Sequence, residues 1–540
     1  MSDFSEYEEI KRRHTTRGDD QTRKPNGDAS LPTIKVRAGN RPSVSDAGLK
    51  ALEEAGTPFF QRGGSLVCVR GIELKTTDGE KTFVPGIIPV THAMLGRELG
   101  RAANWIGFDR QGNERRIDPP RPVVEQIAGM IGEWPFPTLA GVIGTPTLRP
   151  DGSVLVSEGY DEATGLVLLG GLEMPAIKPE PTQHDAAVAL AFIDRLLDEF
   201  PFADGHLGNQ SIYRSVALSM LLTPVVRGAL GTVPLHLVTA PQSGTGKSFL
   251  ADIASAIATG ERCAVLAASP KPEETDKRLV AAALSGVPIV AMDNCVGTIE
   301  GPLICQLTER PRLKLRPLGK SDEVHVPNTF SVFANGNNVT IAGDLVRRTV
   351  QCVLDANVEN PEAREFSSDP LATTKANRGA YVAAALTIVR AYICAGKPRQ
   401  VARLPSYGRW SDLVRSPLMW LGRPDPVLTM AMARSSDPVR MARVAVFTAW
   451  EAVLGVGRAY RTADLIKLAG TADLFGSKPL HDALLEVARA HASRDEIDPR
   501  RLARWLREQT NVVANGLKLT MEFTDKARPR WALGRSQLAS

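Results

Sequence analysis

The sequence predicts an α/β protein whose central domain is a parallel β-sheet covered by helices. Three observations lead to this fold class. A buried-strand pattern runs straight into a glycine-rich loop and a helix, two later apolar strand patterns each end in polar side chains, and helical patterns alternate with these strands. With 540 residues the chain is too long for one hydrophobic core, so about two to four domains are expected.

Composition shifts divide the chain into six segments. In order they are a mostly disordered basic tail, a small α+β domain, a helical lead-in, the α/β core, a helical region and a winged-helix-like domain, over residues 1–57, 58–178, 179–231, 232–357, 358–480 and 481–540. The tail is polar, and the longest apolar stretch, "SVALSMLLTPVV", is too short to span a bilayer. A cytoplasmic protein without a membrane segment is expected.

The segment 58–178 shows short strand patterns around one amphipathic helix. Strands are predicted at "GSLVCVRGI" and "TFVPGIIPVT", and a helix at "THAMLGRELGRAANWIGF" with Thr91 as its N-cap. Turn residues at 150–152 separate later strands. No catalytic cluster is evident in this segment, and no cysteine pair in the chain has zinc-ligand spacing.

The stretch "HLVTAPQSGTGKSFLADIA" reads as strand, loop and helix, the context of a phosphate-binding loop. Loop N–H groups and the helix N-terminus attract an anion, Lys247 adds a charge for the β- and γ-phosphates, and Ser248 offers a hydroxyl to Mg²⁺. Pro241 replaces the first motif glycine where the strand ends, a position that tolerates the loss of a donor. ATP and Mg²⁺ are therefore expected at Pro241, Gln242, Ser243, Gly244, Thr245, Gly246, Lys247 and Ser248.

Downstream strand patterns end in residues suited to nucleotide hydrolysis. "VPIVAMDN" places Asp293 at a strand end, where a carboxylate can hold Mg²⁺, as in a Walker-B motif. "TFSVFA" runs into Asn335 and Asn337, which can lie between the γ-phosphate and water. Arg347 and Arg348 follow at the end of a short helix, where one could act as an arginine finger toward a neighbouring subunit. A plain turn and ordinary surface charge are the alternatives for these two groups.

These motifs, in this order over residues 232–357, resemble the core of AAA+ ATPases, in particular superfamily 3-type and primase-associated helicases of phages, plasmids and integrative elements. The run "GNNVTIAGDLVRRTVQCVLDANVENPEAREF" is especially similar to them, and the likeness spans about residues 58–535. The resemblance implies ATP hydrolysis within a ring, usually a hexamer, that moves on DNA. It also implies a site of Lys247 and Ser248 for ATP and Mg²⁺, Asp293 for Mg²⁺, Asn337 or Asn335 as sensor, and Arg347 or Arg348 as finger.

One position departs from the resembled pattern. Many AAA+ motors have an acidic residue directly after the Walker-B aspartate, and here that residue is Asn294. Either another carboxylate orients the attacking water, with Glu300 and Glu309 as candidates, or hydrolysis is slow.

DNA contacts are expected from a β-hairpin and from the C-terminus. "RLKLRPLGKSDEVHVPN" predicts two strands around a turn, with Lys320 at the tip and Arg316 and His325 on the arms, where contacts to phosphates would be independent of sequence. A solvated hairpin is the alternative. Residues 481–540 predict a helix followed by two basic strands, which fits a DNA-binding or a protein-docking wing equally well. The wing helix starts after Asp498 and carries Arg500, Arg501, Arg504 and Arg507.

The function predicted from these features is an ATP-dependent DNA helicase or translocase in the replication of a mobile genetic element. Its expected partners are single-stranded or forked DNA, further copies of the chain, and a separate primase or initiator. The alternative is an AAA+ remodelling or regulatory ATPase that acts on a protein. Arg378 is a further candidate nucleotide sensor, and Trp410 and Trp420 are expected in the core.

Overall fold

The chain divides into two units, Met1–Leu139 and Ala140–Ser540. The computed structural model describes residues 31–75, 81–269, 271–319, 323–435, 437–471, 478–491, 494–523 and 529–536. The division falls well before the predicted boundary at residue 178. Strands beyond Leu139 pack with the second unit instead, since the Thr147 hydroxyl donates to the Val225 carbonyl at 2.7 Å.

The first unit packs three helices with two three-stranded sheets. Its helices are Arg41–Glu54, His92–Ala102 and Arg121–Gly129. One sheet is wholly antiparallel and the other is mixed, and their strands are Phe59–Arg62, Ser65–Lys75 and Lys81–Pro89, and Thr33–Lys35, Asn104–Phe108 and Glu114–Arg116.

Two expectations for this unit change. Residues 33–54 belong to the tail that is expected to be mostly disordered, with a short helix allowed at "VSDAGLKALEEAG". They form a strand and a longer helix, whose Leu52 is fully buried. The helix that Thr91 was predicted to cap does begin there, with the Thr91 hydroxyl accepting from the Met94 N–H at 3.2 Å. It ends at Ala102 rather than continuing, because "NWIGF" forms the strand Asn104–Phe108.

A five-stranded parallel sheet forms the centre of the second unit. We label its strands β1 (Leu235–Ala240), β2 (Val265–Ala267), β3 (Ile289–Cys295), β4 (Ser331–Asn337) and β5 (Thr349–Val353). Their spatial order is β2-β3-β4-β1-β5, and all neighbours are parallel. Every residue of β1 is buried, as expected for a strand covered on both faces. The carboxyl ends of β3, β4 and β1 are therefore adjacent.

Helices follow the first two strands of this sheet. Helix α1 (Lys247–Thr259) follows β1 and ends, as predicted, at Gly260, whose φ of +88° suits glycine. Helix α2 (Pro272–Ser285) precedes β3. The other α-helices of the described part of residues 140–435 are Gln183–Asp194, Ile212–Val225, Pro302–Glu309, Pro370–Ala376, Arg378–Cys394, Gly408–Trp410, Ser416–Trp420 and Leu428–Ser435, and a π-helical segment covers Ser411–Arg415.

Short strands complete this part of the chain. They form three pairs and a three-stranded sheet: Thr147–Leu148 with Val154–Leu155, Thr298–Ile299 with Thr340–Ile341, Arg312–Leu315 with Val324–Pro327, and Gly141–Ile143 with Gly159–Asp161 and Leu166–Leu168. Trp410 is fully buried and donates to the Thr223 hydroxyl at 3.0 Å, which confirms its expected place in the core. Trp420 is only partly buried, with its ring edge-on to Tyr392 at 5.6 Å.

The C-terminal part packs four helices against a four-stranded antiparallel sheet around Phe447, Trp450 and Trp531. Helices are Pro438–Leu454, Thr462–Ala469, Pro479–Ala488 and Pro499–Glu508, and sheet strands are Ala459–Tyr460, Pro529–Arg535, Leu517–Phe523 and Val513–Ala514. A separate hairpin joins Arg489–His491 to Arg494–Ile497. This core begins near residue 438, so the predicted boundary at 480/481 cuts through it.

Candidate functional site

The loop between β1 and α1 has the backbone of a phosphate-binding loop. Gly244 and Gly246 have φ of +72° and +95°, in the left-handed region that glycine adopts without steric cost. Helix α1 begins at Lys247, directly after the loop. The first N–H groups of the helix have no partner within it, so its N-terminus attracts an anion at this point.

The Lys247 side chain folds back over the loop. Its ammonium donates to the Gln242 backbone carbonyl at 2.8 Å and to the Thr245 hydroxyl at 3.2 Å. Partial burial lowers the pKa of Lys247, while the nearby Asp293 carboxylate acts in the opposite direction. The ammonium lies across the loop, where a bound anion would replace these two neutral acceptors with a charged one.

Three side chains meet beside the loop, one from α1 and one from each of two strands. The Ser248 hydroxyl is 3.3 Å from Asp293 Oδ1, and Asn335 Nδ2 is 3.5 Å from the Ser248 oxygen. The sheet order explains this meeting, because β4 lies between β1 and β3. The structure thus brings together Ser248, Asp293 and Asn335 of the predicted site.

A bulge at the end of β3 determines what residue 294 can do. The strand does not stop at Asp293, and its pairing with β4 shifts register between Met292 and Cys295. Asn294 has φ +54°, a region in which asparagine is enriched and glutamate is disfavoured. Its backbone N–H donates to Asp293 Oδ1 at 2.8 Å and to Asn335 Oδ1 at 3.3 Å. The backbone of residue 294 therefore orients the carboxylate and the amide.

The asparagines at the end of β4 have different environments. Asn335 is 3% exposed and lies under Ser248, whereas Asn337 is exposed at the strand end. Gly336 between them faces the β3 bulge, and a Cβ there would lie 2.1 Å from the Cys295 carbonyl oxygen. Asn338 closes the edge, its amide donating to the Pro241 carbonyl at 3.2 Å. Of the two predicted sensors, Asn335 is the one in contact with the cluster.

The paired arginines separate in the same way. The Arg348 side chain is 4% exposed and forms ion pairs with Glu309 at 2.6 Å and Asp344 at 2.9 Å. Arg347 is 47% exposed and pairs with Asp344 at 2.9 Å. A buried, paired Arg348 cannot extend into a neighbouring subunit, which leaves Arg347 as the candidate finger. Glu309 is taken up by this pair, so it does not fit the predicted role in orienting water. Glu300 is exposed, and no contact joins it to the cluster.

The predicted hairpin forms, with Arg312–Leu315 antiparallel to Val324–Pro327. Its buried face carries Leu313, while Lys314 and His325 are opposite each other on the exposed face. Arg316 follows the first strand and is exposed. Lys320, predicted at the tip, lies outside the described residues.

Arg378 does not reach the phosphate loop. Its guanidinium donates to the carbonyls of Gly144 at 2.9 Å and Ile257 at 3.3 Å, near the C-terminal end of α1, and burial lowers its pKa to about 10. Since the loop is at the N-terminal end of α1, the prediction that Arg378 senses nucleotide is wrong. The residue instead links the C-terminal end of α1 to the segment around Gly144.

The helix Pro499–Glu508 presents a basic face to solvent. Leu502 and Leu506 are buried on its inner face, and the Asp498 carboxylate caps its start by accepting from the Arg500 N–H at 2.7 Å. Four exposed arginines lie away from that inner face: Arg500, Arg501, Arg504 and Arg507.

Sequence reasoning missed a segment that lies against the loop. Residues 358–368, called the strap below, follow β5 and contact the loop at Gln242 and Gly244. The Glu199 carboxylate binds the far end of the strap. The only sequence signal is the turn-forming pair Asn360-Pro361, which indicates a loop but no partner.

No protein-family model matches the chain, and neither does any curated protein. Similar solved structures include two apo A-form structures of the C-terminal region of NrS-1. The first has 12% identity and a TM-score of 0.34, and the match covers 82% of this chain and 98% of that chain. The second, of residues 305–718, has 14% identity and a TM-score of 0.36, and the match covers 81% of this chain and 98% of that chain. A structure of JCV helicase bound to N-(4-(2-(thiazolo[5,4-c]pyridin-2-yl)phenoxy)phenyl)acetamide has 14% identity and a TM-score of 0.22, and the match covers 51% of this chain and 65% of that chain. At these TM-scores the likeness assigns no function, which has to come from the site itself.

The described residues contain neither a membrane-spanning helix nor a cluster of metal-ligating side chains. No helix there combines the length and apolar character needed to cross a membrane. No group of three or more His, Cys, Asp or Glu side chains in the same residues is arranged to hold a metal ion.

Proposed function

We propose that the chain is an ATP-dependent DNA helicase or translocase. The observation that carries the nucleotide part is the cluster of Ser248, Asp293 and Asn335 beside a glycine loop that starts a helix. Hydroxyl and carboxylate oxygens are the ligands that Mg²⁺ takes together with nucleotide phosphates. The donor set therefore fits ATP with Mg²⁺.

Each residue of the cluster has a role that follows from its position. Ser248 and Asp293 would hold Mg²⁺, which when bound neutralises phosphate charge. Lys247 exchanges its present acceptors for phosphate oxygens. Asn335, fixed beneath Ser248, would orient the attacking water. No carboxylate adjoins Asp293 in the chain, and we therefore expect slow basal hydrolysis.

Charge distribution supports nucleic acid as the partner. Residues 437–540 hold 17 Lys and Arg against 12 Asp and Glu, a surplus that equals the +5 of the whole chain. The exposed arginines of Pro499–Glu508 lie within this part, and the hairpin adds Lys314, Arg316 and His325. Basic surfaces of this kind bind phosphates without regard to sequence.

The finer parts of the proposal rest on the resemblance. These parts are assembly into a homo-oligomeric ring in which Arg347 acts as arginine finger, a role in the replication of a mobile element, and a separate primase or initiator as partner. The exposure of Arg347 is compatible with a contact in trans.

The test is the ATPase rate of the full chain with and without single-stranded DNA, with oligomer size measured on the same sample in an ATP analogue. We expect DNA to stimulate hydrolysis, forked duplex to be unwound, and Lys247→Ala to abolish both. An ATPase rate that is unchanged by DNA, together with no DNA binding at low salt, would refute the proposed DNA helicase or translocase.

The second candidate is a remodelling or regulatory ATPase that acts on a protein, and Asn294 favours it. A slow hydrolyser is suited to a nucleotide-gated clamp. Lys320→Ala separates the candidates, with Lys277→Ala on α2 as the matched surface control. Loss of DNA stimulation in Lys320→Ala alone favours the motor, whereas equal ATPase rates in both variants favour the clamp.

A further inference from the structure

The chain that follows β5 returns over the phosphate loop. The Asp355 N–H donates to the Pro201 carbonyl at 2.7 Å, which brings the chain alongside residues 199–203. A short 3₁₀ turn, Pro361–Ala363, then leads through the middle of the strap. Pro361 is buried, so the turn is anchored by packing.

The strap touches the loop at two points. With its amide oriented so that both polar atoms find partners, Gln242 donates to the carbonyls of Val358 at 3.0 Å and Glu359 at 3.3 Å. At the second point, a Cβ added to Gly244 would lie 2.8 Å from the Glu362 backbone nitrogen and 2.9 Å from its Oε2. Only glycine at position 244 lets the strap approach this closely.

The far end of the strap is tied to Glu199. That carboxylate accepts from the Ser367 hydroxyl at 2.7 Å, the Ser367 N–H at 3.0 Å and the Ser368 hydroxyl at 3.1 Å. These hydrogen bonds, chiefly the one from the Ser367 hydroxyl, lower the pKa of Glu199. Arg364 adds a bond from its guanidinium to the Glu199 backbone carbonyl at 2.8 Å. Glu199 thus holds the far end of the strap, while Gln242 of the loop holds the near end.

The sheet order indicates which part of a nucleotide the strap would meet. Asp293 and Asn335 approach Ser248 from β3 and β4, on one side of β1, so the metal and terminal phosphate belong there. The strap follows β5, on the other side of β1. Phe200 also lies on the loop, 3.3 Å from a Cβ placed at Gly246. A nucleotide whose phosphates point toward Asp293 directs its sugar and base away from it.

We propose that the strap is the nucleoside-binding cover of the phosphate loop, with Glu199 as the residue that holds it closed. This rests on the proposed nucleotide function. It assigns a role in binding to Glu199, Gln242 and the strap, and the ligand is the sugar and base of a nucleoside di- or triphosphate. Inorganic polyphosphate, which lacks a nucleoside, would not need the strap.

The experiment compares the affinities of ADP and inorganic tripolyphosphate for the full chain, both with Mg²⁺, by titration calorimetry. In Glu199→Ala we expect ADP affinity to fall about tenfold, as for loss of hydrogen bonds to a charged group, with tripolyphosphate affinity unchanged or slightly higher. Ser367→Ala combined with Ser368→Ala removes the same tie from the other side and should repeat the pattern. Glu486→Ala, an equal charge change at an exposed position of the helix Pro479–Ala488, is the matched control.

Hydrogen exchange of the strap amides gives a second readout that needs no hydrolysis. Exchange should be faster in Glu199→Ala than in wild type, and ADP but not tripolyphosphate should slow it in wild type. Equal ADP affinity in wild type and Glu199→Ala, or equal losses for ADP and tripolyphosphate, would overturn the strap's role. A wild-type chain that binds neither ligand would instead refute the proposed function itself.

Discussion

The two sides of the candidate nucleotide site are built in different ways. On the metal side, Ser248, Asp293 and Asn335 come from the ends of adjacent strands and the start of α1, so sheet register sets their distances. On the strap side, Glu199 and the strap are irregular chain joined by side-chain hydrogen bonds. Register fixes atoms more firmly than such bonds do, so changes on the metal side should have the larger effects.

The largest effect is expected for Asp293→Asn, which removes the metal-side carboxylate. Hydrolysis should fall about a hundredfold or more, because the charge that fixes Mg²⁺ is lost. ADP binding without Mg²⁺ should change little. The ATPase rate over a range of Mg²⁺ concentrations checks this, and full activity restored at high Mg²⁺ would show that Asp293 affects only metal affinity.

The two asparagines of β4, Asn335 and Asn337, differ in their contact with the metal side. Asn335→Ala should lower the hydrolysis rate more than Asn337→Ala, because only Asn335 contacts Ser248. The reverse ranking would move the sensor role to the exposed end of β4.

The paired arginines repeat the contrast between buried and exposed groups. Arg348→Ala leaves Glu309 without its close partner, and we expect it to lower the free energy of unfolding by about 3 kcal/mol. Arg347→Ala should cost less than about 1 kcal/mol, since its ion pair is largely solvated. Urea unfolding measures both. If Arg347 is the finger, its variant keeps its stability and loses hydrolysis only under conditions where oligomers form.

How far the sequence could predict the molecule follows from the range of the interactions. The loop, α1 to its end at Gly260 and the strands carrying Asp293 and Asn335 are local patterns, and all of them are found. Burial of Arg348 depends on Glu309, and the strap depends on Glu199, both distant in sequence. The left-handed backbone of Asn294 arises from a bulge against β4, which no local pattern encodes.

The sheet that supports the metal side has its own pH dependence. His236 in β1 is buried between Phe333 and Trp410, and burial lowers its pKa to about 3. An unfolded chain takes up this proton near pH 6.5 and the folded chain does not. Stability from this group is therefore present above pH 6.5 and is lost as the pH falls, by about 1.4 kcal/mol per pH unit.

The comparison variant is His236→Gln, which cannot titrate in this range and can still bond to the Ser219 hydroxyl, now 3.0 Å from the imidazole. Between pH 6 and 4, the free energy of urea unfolding should fall less steeply in the variant than in wild type, by about 1.4 kcal/mol per pH unit. Parallel pH curves for the two proteins would show that the imidazole accepts a proton within the folded sheet.

The smallest effect is expected for Glu362→Gln on the strap. The Glu362 carboxylate lies beside Gly244, where it opposes the approach of an anion to the loop. Because the side chain is exposed, salt screens this repulsion, and tripolyphosphate should bind only about two- to threefold more tightly to the variant. The gain should disappear in about 1 M salt, where the screening length is about 3 Å. A gain that survives high salt would contradict the charge mechanism. Because Gln has the same size as Glu, it would mean that the substitution loosens the strap.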